Sequence, residues 1–227
     1  MRKIITTLIY LVVVPLIIVL SYFLYNLKQY HILSLILAVL ALGLLFLNFE
    51  KKDLKLEKLV LIAAFVALAT VSRILFNVIT ILPGFNPVSA IIILIAIVFG
   101  GEVGFMVGAL TAFISNNYLS HGPWTVFQMF SWGIIGYLSG LFSKILKKNK
   151  IILIIFGIFS GILFSVIMDI YTVLSIDNAF NFKRFLFVQS ISLPFTITYI
   201  VANVIFLILF GDLFIKRLER IIKKYNL

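Results

Sequence analysis

Apolar residues run along this chain in long blocks separated by short polar breaks: residues 4–26, 31–49, 59–82, 88–100, 103–119, 126–146, 151–175 and 186–214. None alternates with the period of two that a half-buried strand requires. Most blocks reach the roughly 20 residues an α-helix needs to cross a bilayer, and the fourth is short. A membrane barrel would need strands of about 10 residues alternating apolar and polar, and Ile4 to Leu24 shows nothing of the kind. The pattern predicts an all-α integral membrane protein of about eight transmembrane helices.

The charged stretch Glu50 to Lys58 is the clearest internal boundary. It divides a two-helix membrane hairpin (1–50) and a charged linker (51–58) from a six-helix core (59–215) and a basic tail (216–227). The hairpin carries no Asp, Glu, Lys or Arg within its spans, and no internal repeat or low-complexity segment is evident.

Composition strengthens this picture: 63% of the 227 residues are hydrophobic and 12% charged, against about 45–50% and 25% in soluble domains. A net charge of +11 could suggest nucleic acid, but the basic residues cluster in the breaks between spans, where they set membrane orientation. The clusters are Arg2/Lys3; Lys51, Lys52, Lys55 and Lys58; Lys144, Lys147, Lys148 and Lys150; and Lys216, Arg217, Arg220, Lys223 and Lys224. All fall on one side only if the short run 88–100 crosses. Positive-inside reasoning then expects a multi-pass protein of the cell membrane with both termini cytoplasmic. Arg2 and Lys3 precede a run too long for a cleaved signal, so the first span is expected to remain. The absence of cysteine excludes disulfides and thiolate metal sites.

Polar groups inside a membrane are costly, so their depth is informative. Counted from the basic side, Arg73 and Asn77 lie in the outer half of the third span at i, i+4. Gln128 and Trp132 hold the same spacing near the outer end of the sixth, Asp169 and Tyr171 sit in the outer third of the seventh, Gln189 begins the eighth, and Asn116 and Asn117 end the fifth. This convergence predicts a ligand pocket opening outward above an aliphatic floor. Arg73 and Asp169 either make charge-assisted contacts to the ligand or pair with each other, and Arg73 has the further option of snorkelling. Trp132 and Trp124 are candidates for stacking on a flat ligand or for an interfacial aromatic belt. Asn86, beside Pro83 and Gly84, belongs to a lid or a plain turn. His121 makes a poor metal ligand, and no metal site is expected.

Small residues form a second pattern. Ala63 and Ala67 are four apart on the third span, Gly104, Gly108 and Ala112 repeat that spacing on the fifth, and Gly133, Gly136 and Gly140 follow on the sixth. Such spacing lets helix backbones approach closely in lipid. Internal packing is the reading for the glycines, with docking of an external helix an alternative for the alanines. The chain has no G-x-x-x-x-G-K-[ST] phosphate loop and no H-E-x-x-H, and only two histidines, His31 and His121. No catalytic residue is expected, and energy from ATP would have to come from another chain.

The stretches AAFVALATVSRILF, FNPVSAIIILIAIVFGGEVGFMVGALTAFISN and GPWTVFQMFSWGIIGYLSG, from Ala63 to Gly140, resemble the helix 1 to helix 4 region of the substrate-specific S components of energy-coupling factor (ECF) transporters, in a subgroup with two extra N-terminal spans. The resemblance implies a six-helix S-component core with an outward-facing vitamin site roofed by loops. It also implies a membrane T component and two cytosolic ATPases as partners, with ATP used by those subunits and no cofactor bound by this chain. On it, Ala63 and Ala67 face the T component, and the ligand is a vitamin or related micronutrient, the subgroup standing nearest to cobalamin-related members. The substrate-binding set expected here is Arg73, Asn77, Asn86, Asn117, Trp124, Gln128, Trp132, Asp169 and Gln189. The competing function is a self-contained secondary transporter of a small polar molecule, which would need its own coupling-ion site.

Overall fold

The computed structural model describes residues 56–79, 82–177 and 180–225. The expected hairpin at 1–50 and most of the linker lie outside the described residues. The described chain forms α1 (Leu56–Ile79), α2 (Val88–Phe99), α3 (Gly101–Leu119), α4 (Trp124–Leu141), α5 (Ser143–Lys148), α6 (Lys150–Asp177) and α7 (Phe182–Tyr225). No strand occurs among the described residues, which are almost entirely helical. Leu59–Ile79, Lys150–Asp177 and Phe182–Lys224 are each long and apolar enough to cross a bilayer.

The six blocks from residue 59 onward map onto these helices with two differences. The run 126–146 is broken after Leu141, where the Phe142 N–H bonds the Leu138 carbonyl at 2.9 Å and the short α5 sets off as a separate helix. The basic tail is not a separate unit: α7 continues without a break through Lys216, Arg217 and Arg220 to Tyr225. At that end Lys147 meets Glu219 at 2.7 Å and Lys150 meets Asp212 at 3.2 Å, tying the region around α5 to α7.

The tightest packing is between α3 and α4, and glycine makes it possible. A Cβ on Gly104 would lie 2.7 Å from the Gly136 carbonyl oxygen, and one on Gly136 would lie 2.3 Å from the Gly104 carbonyl carbon. Gly108 lies against the Trp132 backbone and Gly140 against Gly101, so numbers rise along one helix as they fall along the other. The pair is therefore antiparallel, with main chains in van der Waals contact, as small residues allow in lipid. The glycine series read as packing positions do pack, and against each other. A second antiparallel pair forms where Gly157 and Gly161 of α6 receive Leu207 and Ile200 of α7, and the Asn203 amide donates to the Gly157 carbonyl at 3.0 Å.

α2 is the centre of the bundle. Every residue from Val88 to Ile97 is buried, enclosed by α1, α3, α4 and α7. Its 12 residues rise only about 18 Å, well short of the roughly 30 Å hydrocarbon core. Residues 82–87 before it are non-helical, and irregular backbone beside an apolar bundle survives where protein satisfies its polar groups. Asn86 does so: its side-chain amide donates to the Gly84 carbonyl at 3.2 Å, and its Oδ1 accepts the Val88 N–H at 3.2 Å. Only Gly100 separates α2 from α3, at a φ of 98° that favours glycine.

Replacing Gly136 by valine pushes two backbones apart and is expected to cost about 3 kcal/mol. Gly211→Ala, whose Cβ would meet only Leu153 Cδ2 at 3.3 Å, should be nearly neutral. Thermal unfolding in detergent compares them; equal midpoints would contradict the contact described.

Candidate functional site

One polar group is built around Arg73. The arginine stands on α1 opposite the C-terminal end of α3 and the N-terminal end of α4, the ends away from the Gly104–Gly136 contact. Its guanidinium donates to Ser115 Oγ, to Asn116 Oδ1 at 2.6 Å and to Gln128 Oε1 at 3.3 Å. The Asn116 amide in turn donates to Gln128 Oε1 and to Thr125 Oγ1, both at 2.8 Å. The indole of Trp132 lies under the cation, 4.7 Å from Cζ to the ring centroid, a distance at which the ring quadrupole attracts the charge. These partners are all neutral. A guanidinium has five N–H donors, and the three contacts above leave two over. A positive charge held at membrane depth by neutral groups favours an electron-rich acceptor.

The second group surrounds Asp169 on α6, which is buried. Its Oδ2 accepts from Gln189 Nε2 and from Ser192 Oγ, each at 2.7 Å. Just inward on the same helix pair, Ser165 and Thr196 share a hydrogen bond. Arg73 and Asp169 therefore hold separate partners instead of pairing with each other.

An aromatic wall connects the two groups. Trp132 stacks on Phe164 with centroids 5.2 Å apart, and Phe164 meets Tyr199 edge-on at 4.8 Å. Tyr199 lies within electrostatic reach of both Arg73 and Asp169. Above its ring runs the loop before α2, where Gly84 adopts a φ of 84° and a Cβ would fall 2.9 Å from Tyr199 Cε1. Glycine is demanded there twice, by the backbone conformation and by the ring. The loop thus lies directly on the wall.

Gln128, Trp132, Asp169 and Gln189 are drawn into these two groups together with Arg73. Trp132 is buried at 2% exposure, so it is part of the wall and not an open platform. Trp124 is half-buried, its indole filling the space beside Gly122. Asn77 is exposed one turn beyond Arg73. Asn86 caps its own turn, as above. Asn117 is exposed and returns its amide to the Phe113 carbonyl at 3.0 Å; its neighbour Asn116 takes the interior place. His121 packs edge-on to Phe113 and lies 3.3 Å from Thr125 Oγ1. Among the described residues, no group of three or more His, Cys, Asp or Glu is arranged to hold a metal ion.

Ser115, Asn116, Ser192 and Tyr199 were not in the expected set. For Asn116 a signal existed: it continues the four-residue series Gly104, Gly108, Ala112 and so shares the face turned to α4. Tyr199 had none, because its contact comes from a loop whose depth the sequence does not state. On the outside of α1, Ala63 and Ala67 are exposed beside Val60, Ala64, Leu68 and Val71, while Ile62, Phe65, Val66 and Ala69 face inward.

No curated protein and no solved structure matches the chain significantly. A model of one family, the ECF-type riboflavin transporter S component, matches residues 53–220, a span that takes in every helix described except the last turn of α7. An all-helical bundle with helices long and apolar enough to cross a bilayer agrees with that match, and the chain belongs to the S components of ECF transporters, the vitamin-type substrate-binding membrane subunits of these importers.

Proposed function

We propose that the chain captures riboflavin or a closely related flavin on the side opposite its basic clusters, and passes it inward with a T component and two cytosolic ATPases. The observation that carries this reading is the arrangement of two opposite charges held apart along an aromatic wall. A flavin matches it chemically. Its ring is flat and aromatic, suited to pack beside Tyr199, the half-buried member of the wall. Its imide N–H is a donor suited to the acceptor-only carboxylate of Asp169, and its ribityl hydroxyls are acceptors for the two N–H groups of Arg73 left over. The name of the matched family supports the same ligand. The relation to cobalamin has no residue to carry it, and a flavin is the reading adopted.

The absence of a phosphate-loop motif from the chain supports energy supply by partner ATPases. The exposed small-residue face of α1 supports a helix-to-helix contact with the T component, with Ala63 and Ala67 at its centre. The clustering of Lys147, Lys150, Lys216, Arg217 and Arg220 at one end supports a cytoplasmic placement of that end. A secondary transporter would have to couple to an ion, and family membership favours the ATP-dependent assembly instead.

Quenching of flavin fluorescence by the purified protein tests the ligand. Arg73→Ala and Asp169→Ala should each weaken binding at least tenfold, about the 1.5–3 kcal/mol of a hydrogen bond to a charged group, while Lys183→Ala, on an exposed position, should not. Binding of a corrinoid in place of riboflavin would overturn the flavin reading. For the docking face, Ala67→Trp should keep flavin binding and lose co-purification with the T component and ATPases; a variant that still assembles normally would exclude this face.

A further inference from the structure

Hydroxyl groups on these helices follow one habit. Ser115, Ser131, Ser139, Ser160, Thr172, Ser190 and Thr198 each return their proton to the carbonyl four residues back. In a bundle surrounded by lipid this is the expected outcome, because no solvent is at hand to satisfy a stray donor. Two threonines stand apart in having no partner of any kind. Thr70 Oγ1 on α1 and Thr111 Oγ1 on α3 are buried with no hydrogen-bond partner, and their residues are 7% and 0% exposed.

Their positions are related. Thr70 precedes Arg73 by three residues and Thr111 precedes Ser115 by four, so each lies one helical turn inward of the point where the Arg73 guanidinium meets Ser115 Oγ. Helices α1 and α3 pack together. The polar site therefore continues one turn deeper than its arginine, as two hydroxyls that the helices themselves leave unsatisfied. Buried polar groups without partners are rare, and each calls for a reason, of which a bound group is one.

We infer that Thr70 and Thr111 form a seat for a hydroxyl group of the bound ligand, below the Arg73 layer. The inference rests on the flavin reading, in which the polyol chain lies on the Arg73 side. A hydroxyl both donates and accepts, so it can serve two threonine hydroxyls at once, which an apolar substituent cannot. The seat thereby makes the site selective for a polyol-bearing ligand over the same ring without the chain.

The test compares riboflavin with lumiflavin, which has a methyl group in place of the ribityl chain, on the full-length protein and its Thr70→Val, Thr111→Val and double variants. Valine keeps the shape and removes the hydroxyl. The expected result is a fall in riboflavin affinity of about tenfold in the double variant with lumiflavin affinity unchanged, so that the ratio between the two collapses. Equal losses for both flavins, or no change for either, would overturn the seat while leaving the flavin reading intact. If the wild-type protein binds neither flavin, the flavin reading falls and the seat falls with it. Thermal midpoints of the ligand-free variants, expected to equal or exceed the wild type, confirm that any loss is not one of folding.

Discussion

The backbone contact between Gly104 and Gly136 sets the geometry of the polar group around Arg73. It brings α3 and α4 together as an antiparallel pair, and that pairing places Asn116 beside Gln128 at 2.8 Å. Only because those two amides are joined can they turn their oxygens to one arginine on a third helix. Larger side chains at the glycines would widen the gap by several ångströms, and the Arg73 cation would lose acceptors it cannot replace from lipid. Packing and function are thus one problem, solved with residues that have no side chain.

The fold was largely readable from residue order. Runs such as 151–175 and 186–214 became α6 and α7, and 88–100 became α2 almost to the residue, because apolar blocks in a membrane protein leave helix as the only economical way to pair the backbone. What hydropathy could not express was the meaning of a short block. Residues 88–100 were expected to cross from their place in the charge pattern; α2 is only 12 residues long and follows a turn that Asn86 holds together. Burial on every face, which decides that role, comes from four neighbouring helices that the block itself does not encode.

The site was readable in part. Depth counted along each helix brought Arg73, Gln128, Trp132, Asp169 and Gln189 to the same half of the bundle, and they do assemble there. Depth is a one-dimensional quantity, however, and facing is not. Asn117 and Asn116 have nearly the same depth and opposite surroundings, and the distinction lay in the small-residue register. Tyr199 shows the other limit: its place between the two charges arises from a loop descending onto it, a contact between segments far apart in the chain.

The separation of Arg73 from Asp169 also has an electrical consequence. Moving one elementary charge through the full membrane field involves about 2.3 kcal/mol per 100 mV. With both side chains ionised, the cation and the anion lining this site sum to zero, and a neutral ligand would add no charge of its own. Displacing the loaded site from one side of the bilayer to the other would then let the field do almost no net work, so uptake would run at the same rate in polarised and depolarised cells.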